Sequence, residues 1–528
     1  MKTFGDWLAS PWRRSLLAAL AGALPVFAFP APSLWWFAYV ALVPWILLTR
    51  SAPTGRRAAY DGWCGGLGFM LAVHSWLVPS LSVFIVVIAG LLGVLWAPWG
   101  WLVRRFLGGV PSPRRGAAAL LVLPSGWLMV ELVRSWQGLG GPWGLLGSTQ
   151  WQVGPALRLA SVGGVWLLSF LVVAVNVAVA VLVSVREVRV PAVAGLVATA
   201  AATSAATSAA WVWSPRPDVD GSVRIAVVQP GVIAGDDSGV RRFDREEQLT
   251  RRLAGRHVDL IAWGESSVGF DLAKRPDLAR RIAALSKETG ADILVNVDAE
   301  RSDKPGIYKS SILVGPKGLT GDRYDKMRLV PFGEYIPFRS LLGWATSVGK
   351  AAGVDRRHGT EQVVMSVGHG LRVGPLICFE TAFPDMSRHL AQDGADVLLA
   401  QSSTSSFQNS WAPEQHATLA ALRAAETGRP VVHATLTGVS AVYGPSGERI
   451  GSWLGTGAST TRVYDAPLAH GITPYVRYGD WPVQGSLLIL ALVCAGEGMR
   501  AFRLRRTAPR PLVPPARTVH ESPARPGR

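Results

Sequence analysis

The four longest stretches without Asp, Glu, Lys or Arg are residues 15–49, 62–103, 159–185 and 190–215. They set the first limit on what this chain can fold into. An α-helix needs about 20 apolar residues to cross the hydrocarbon core of a bilayer, so each of the first two stretches holds a pair of helices. Pro25, Pro30 and Pro32 interrupt the first pair, and Pro79, Ser80 and Ser82 mark the turn in the second. This predicts seven spans, over 15–31, 33–49, 62–79, 82–103, 117–134, 160–184 and 190–212, with an eighth over 482–500. The fifth carries Glu131 and Arg134, and the seventh is an Ala/Thr/Ser run that would also suit a linker. Residues 13–30 have the basic start and apolar core of a signal peptide, but the spans that follow favour an uncleaved first helix.

A net charge of +17 raises the question of nucleic acid, and the placement of the charge argues against that partner. Arg13 and Arg14, then Arg50, Arg56 and Arg57, then Arg104, Arg105, Arg114 and Arg115, then Arg186 and Arg189 precede spans one, three, five and seven. Arg158, before span six, is the exception. The alternation is that of the positive-inside rule with a cytoplasmic N-terminus. Seven crossings then put the following domain outside the membrane. The tail 502–528, Arg- and Pro-rich and disordered in composition, reads as cytoplasmic, and one crossing back from it gives the same answer. The expected layout is a membrane domain over 1–214, an extracytoplasmic domain over 220–470, a C-terminal span over 480–501 and the basic tail. Trp211, Trp213, Tyr475, Tyr478 and Trp481 flank the domain and suit an interfacial belt.

Between 223 and 467 the apolar runs shorten and alternate with charged helical stretches, the pattern of an α/β domain with a mixed sheet. Strands are predicted over Val223–Gln229, Val258–Trp263, Asp292–Val297, Ile307–Val314, Gln362–Val367, Leu371–Cys378, Val397–Ala400, Val431–Thr435 and Ser440–Tyr443, and helices over Arg241–Ala254 and Pro276–Thr289. Gly315-Pro316-Lys317-Gly318 and Gly444-Pro445-Ser446-Gly447 have the chemistry of hairpin turns. Of the three cysteines, Cys64 and Cys494 fall inside predicted spans as ordinary small apolar side chains. Cys378 is alone in the α/β domain, so no disulfide forms within it. Three polar groups stand at or after strand ends: Glu265 behind Leu260–Gly264, Lys326 within Tyr324-Asp325-Lys326-Met327-Arg328, and Cys378 behind Gly374–Ile377. Singly, a helix-start carboxylate, a solvated lysine and a buried thiol are the ordinary readings.

In order and with their surroundings they resemble something specific. The Glu, Lys, Cys order with Cys378-Phe379-Glu380 is similar to the nitrilase superfamily of carbon-nitrogen hydrolases. Leu329-Val330-Pro331-Phe332-Gly333-Glu334-Tyr335-Ile336-Pro337 after the lysine, Arg423–Pro430, Thr437–Ser440, and a domain set between seven helices and one resemble its membrane-embedded branch, the apolipoprotein N-acyltransferases. The resemblance implies a four-layer αββα sandwich and a polytopic domain of about eight helices in a bacterial cytoplasmic membrane. It implies Cys378 as nucleophile, Glu265 as proton acceptor, Lys326 as oxyanion partner, and no cofactor and no metal. A phospholipid would donate an acyl chain to Cys378 as a thioester, and the N-terminal cysteine amine of a diacylglyceryl-modified apolipoprotein would accept it. Glu334 would orient Lys326 or the amine, and Glu380 would lie on the same side of a continuing strand as Cys378. A recessed, partly dry site would raise the pKa of Glu265 enough to take a thiol proton. Residues 337–353 would form a loop dipping Leu341–Trp344 into lipid.

The chain departs from the family pattern in four places. Gly264 stands where Pro is usual, Ser403–Ser406 where Asn-Asp-x-Trp is usual, His433 in place of Arg and Leu436 in place of Asn. These positions lie in loops expected to line the acyl or acceptor pocket. Two other readings share the triad: a membrane-tethered thiol amidase or hydrolase, and a catalytically weak homologue acting as a partner in lipoprotein maturation.

Overall fold

The computed structural model describes residues 10–184, 218–235, 237–343 and 353–507. The seventh span, Trp211, Trp213, residues 344–352 and the tail beyond 507 lie outside the described residues.

Among the described residues four helices are long and apolar enough to cross a bilayer: Phe84–Leu107, Pro113–Arg134, Gly154–Ser184 and Trp481–Arg500. A fifth candidate is a pair, Gly55–Val73 and Ser75–Leu81, bent by 63°. The two N-terminal spans take the form of shorter pieces. The first is a helix over Pro11–Ala23 tightening into a 3-10 turn at Leu24–Ala28, where Pro25 sits; the second is broken between Trp35–Tyr39 and Val43–Arg50. Gly163 and Gly164, the latter at φ 66°, split the long helix Gly154–Ser184. The membrane core is aromatic: Trp45, Trp96, Trp99 and Trp127 are almost wholly buried, and Trp127 contacts each of the other three rings edge-on at 5.2–5.9 Å.

Twelve strands follow: β1 Asp218–Gln229, β2 Leu260–Trp263, β3 Asp292–Glu300, β4 Ile307–Gly315, β5 Gly318–Asp325, β6 Met365–Val367, β7 Leu371–Ile377, β8 Val397–Ser402, β9 Val431–Thr435, β10 Ser440–Tyr443, β11 Arg449–Leu454 and β12 Thr460–His470. They form two six-stranded sheets, ordered β12-β1-β2-β3-β4-β5 and β11-β10-β9-β8-β7-β6. Each is mixed, with parallel pairs β1–β2, β2–β3, β7–β8 and β8–β9 at the centre. The central strands are apolar on both faces because both faces are covered. Leu260 and Ala262 point between the sheets, whereas Ile261 and Trp263 point at the helices Ser238–Arg251 and Pro276–Thr289. In the second sheet Val397 and Leu399 face the first sheet, while Leu398 and Ala400 face the layer containing Pro384–Gln392 and Ala412–Thr427. The layers run helix, sheet, sheet, helix.

The second helix layer rests on the membrane helices. Leu422, Ala425 and Tyr475 pack with Leu159, Val165 and Trp166, and Glu426 accepts a 2.8 Å hydrogen bond from Val165 N, just past the Gly163–Gly164 break. Tyr475 is fully buried and donates its hydroxyl to Asp480 at 2.8 Å, so it belongs to this junction and not to an interfacial belt. Tyr478 and Trp481 are exposed, as a belt requires.

Candidate active site

The three residues singled out in the sequence come together where the parallel strands end. Glu265 leaves β2 and donates its backbone N–H to Ser402 O at the end of β8. Lys326 follows β5 and extends its pairing with β4 by donating N–H to Lys309 O at 2.8 Å. Cys378 follows β7, which ends one residue earlier than the predicted strand because Cys378 adopts φ 52°. A non-glycine residue in that region is strained, and the surroundings hold it there. His416 on the helix Ala412–Thr427 pairs through Nε2 with the Cys378 carbonyl at 2.9 Å. Burial keeps His416 deprotonated, with its pKa lowered to about 4, so Nε2 is the N–H donor.

Lys326 Nζ donates to Glu265 Oε1 at 3.1 Å and to Glu334 Oε1 at 2.8 Å, and the thiol of Cys378 is within hydrogen-bonding reach of Glu265. Glu334 uses its other oxygen to accept Val330 N at 2.8 Å, closing the loop that carries it. A second ammonium is present that the sequence did not single out. Lys309 Nζ lies 2.9 Å from Glu265 Oε1 and 3.1 Å from Glu334 Oε1. Its signal was a lysine inside the otherwise uncharged strand Ile307–Val314.

The electrostatics reverse one expectation. Burial alone would raise the pKa of Glu265, but Lys309 and Lys326 outweigh it and hold the carboxyl at about 2. Burial, reinforced by Glu265, pushes the Cys378 thiol up to about 12. Burial opposes the charge on Lys326, yet Glu265 and Glu334 keep its pKa well above the ordinary lysine value. The resting site is therefore carboxylate, ammonium and neutral thiol.

Glu380 supports the site by a different route from the one predicted. It does not continue a strand; it lies in the 3-10 turn Cys378–Ala382, fully buried. Its Oε2 accepts Ile377 N at 2.8 Å, and its Oε1 accepts Tyr324 OH and Met327 N at 2.7 Å and Arg328 N at 3.0 Å. One carboxylate thereby ties the end of β7 to the loop bearing Lys326.

Of the family departures, Ser403 reaches Cys378 and the others pack around its neighbours. Ser403 O is 4.0 Å from Cys378 Sγ. His433 is buried with its ring 4.7 Å from that of His416. Gly264 is required by Leu436: a Cβ at 264 would lie 1.9 Å from Leu436 N. Among the described residues no cluster of His, Cys, Asp or Glu is arranged to hold a metal ion.

Two family models match the chain, Apolipoprotein N-acyltransferase N-terminal domain over residues 21–178 and Carbon-nitrogen hydrolase over residues 224–470. An apolipoprotein N-acyltransferase of Azotobacter vinelandii is 30% identical over 96% of this chain and 99% of its own length. The chain belongs to the apolipoprotein N-acyltransferase family. A second member, from Geobacter metallireducens, is 29% identical over 92% of this chain and 96% of its own. Among solved structures, a Nesterenkonia amidase of the nitrilase superfamily matches 52% of this chain and 99% of its own at 18% identity, with a TM-score of 0.35. Saccharomyces cerevisiae Nit3 matches 49% and 94% at 16% identity, also at 0.35.

Proposed function

We propose that this protein acylates the N-terminal amine of diacylglyceryl-modified apolipoproteins, with a membrane phospholipid as donor and Cys378 as the carrier. The observation that carries this is the closed Glu265–Lys326–Glu334 cluster around a strained cysteine, on a domain packed against apolar membrane helices. Both substrates are anchored in a bilayer, and the family supplies the class of acceptor.

In the first half-reaction Sγ bonds to the ester carbonyl carbon while the thiol proton passes to Glu265. Lys326 stabilises the oxyanion, and the intermediate expels the lysophospholipid oxygen, which takes the proton back from Glu265. In the second, the cysteine α-amine attacks the thioester, Glu265 removes its proton, and the thiolate leaves and is reprotonated as the amide forms. Glu334 shares Lys326 with Glu265, so one carboxylate still holds the ammonium while Glu265 carries the proton. The arginine-rich loops favour a cytoplasmic N-terminus, and with that topology this chemistry takes place at the outer leaflet.

Mass spectrometry of lipoprotein N-termini tests the reading. The triacylated terminus is expected with the wild-type chain and absent both without it and with Cys378→Ala. Triacylation in all three backgrounds would refute it.

A further inference from the structure

Lys309 sits on β4 directly across from Asp298 of β3. Its ammonium touches the same two carboxylate oxygens as Lys326, Glu265 Oε1 and Glu334 Oε1, so two ammonium groups and two carboxylates alternate around a ring. Lys326 is fully enclosed, whereas the Lys309 side chain is 13% exposed and forms the outer wall of the ring. With Lys326 alone the ring would carry one net negative charge; with Lys309 it is neutral. Opposite charge is worth far more in such an enclosed place than in water, and so is repulsion.

We propose that Lys309 is a positioning residue of this site, whose ammonium cancels the second carboxylate so that Cys378 develops negative charge beside an electrically neutral cluster. The remaining charged neighbours do not provide this balance. Asp298 lies 3.8 Å from Lys309 Nζ and is matched by Arg356 at 3.4 Å from the other side. His416, behind the Cys378 carbonyl, is neutral. Glu380 faces backbone donors and Tyr324, not the ring. The proposal rests on Cys378 as the nucleophile of the function above, and the two fail separately because its test needs no acyl donor.

The test is the rate of alkylation of Cys378 by iodoacetamide, a neutral electrophile, in the detergent-solubilised full chain from neutral to alkaline pH, with Cys378→Ser as background. Lys309→Met is expected to slow the reaction at least about tenfold at fixed pH and to move its rise to higher pH, one pKa unit being a factor of ten. Lys309→Arg, which keeps the charge, should remain within about threefold of wild type. The double change Lys309→Met with Glu334→Gln removes one charge of each sign and should recover most of the lost rate. A wild-type profile in Lys309→Met would overturn the proposal. So would a double variant as slow as the single one, since charge balance would then not be what Lys309 supplies. If phospholipid leaves no acyl adduct on the wild-type enzyme while these rates still shift as stated, the donor reading fails and the role of Lys309 stands.

Discussion

The least tolerant position near the site is Gly264, and the structure allows the cost of Gly264→Ala to be worked out. An alanine Cβ would lie 1.9 Å from Leu436 N and 2.5 Å from the carbonyl carbon of Thr435, both backbone atoms that no rotamer change can move. Ordinary carbon contacts need about 3.5 Å, so the two segments must separate by about 1.5 Å. They cannot do so freely. Glu265 N and Leu436 N both donate to the single carbonyl of Ser402, at 3.1 and 2.9 Å, and any separation breaks one of these bonds. Overpacking of this kind costs about 3 kcal/mol. The larger effect is on catalysis, because Glu265 is the next residue and its Oε1 holds both ammonium groups at 2.9–3.1 Å. Misplacing a reacting group by about 1 Å lowers the rate by on the order of a hundredfold. The assay is single-turnover acylation of Cys378 from phospholipid micelles, followed by intact mass, with thermal unfolding measured on the same sample. Gly264→Ala should lose on the order of a hundredfold in the acylation rate. Wild-type acylation with an unchanged unfolding midpoint would refute the argument. A proline at 264, the residue the family pattern favours, carries the same Cβ and would meet the same backbone.

Two further outcomes follow from the cluster. Glu380→Ala leaves Ile377 N, Met327 N, Arg328 N and Tyr324 OH without their acceptor, at a cost of about 3 kcal/mol or more. Thermal unfolding should fall and thiol reactivity should change with it, because the loop of Lys326 is no longer tied to β7. For pH, the folded-state pKa of Glu265 is depressed to about 2, so its contribution to stability is complete above the unfolded carboxyl range and lost as pH falls through it toward 2. The unfolding midpoint should decline on acidification below about pH 4.5, and the decline should be smaller in Glu265→Gln; an equal decline in both would show that Glu265 is not the titrating group.

What could be read in advance follows from how each element is buried. β9, β10 and the helix Pro276–Thr289 match their predicted bounds, because an apolar run or an amphipathic period announces them. β5, β11 and β12 escaped: they are half-exposed, and Gly318–Asp325 or Arg449–Leu454 reads as polar loop. Ala412–Thr427 escaped for the opposite reason. It is buried along nearly its whole length, Arg423 and Glu426 included, so no polar face marks it as a helix. At the site, Glu265 and Cys378 were visible as polar residues terminating apolar strands, and Lys326 through the family-like run that follows it. Lys309 and His416 were not, since cross-strand pairing and helix packing bring them in from distant positions. The sign of the Glu265 shift was misjudged for the same reason: burial is legible in a strand end, but a second ammonium is a tertiary fact.

The charged residues that weakened the fifth span turn out to join the membrane part to the surroundings of Cys378. Glu131 and Arg134, both buried at the end of the helix Pro113–Arg134, bond to the segment that follows. Glu131 accepts Leu146 N at 2.8 Å, and Arg134 donates to the carbonyls of Trp143 and Gly144. Their partners lie within the protein, which is the condition under which such groups are tolerated in an apolar setting. The segment they hold reaches the site from three directions. Gln137 donates to Leu329 O, three residues past Lys326, at 3.1 Å. Gly141 lies under the rings of Phe379 and Phe383, where even a Cβ would come within 2.5 Å. Trp143 packs its ring 5.4 Å from His416 and donates to Gln415, which in turn donates to Pro30 O between the first two helical pieces. His416 is the residue that holds the strained carbonyl of Cys378. A chain of buried contacts therefore runs from the membrane helices to the backbone of Cys378 without passing through a flexible linker. The thiol is mounted at a fixed place relative to the helices, the arrangement that the proposed reaction needs, since its ester carbonyl would arrive at a depth set by the bilayer and near-attack geometry leaves little tolerance.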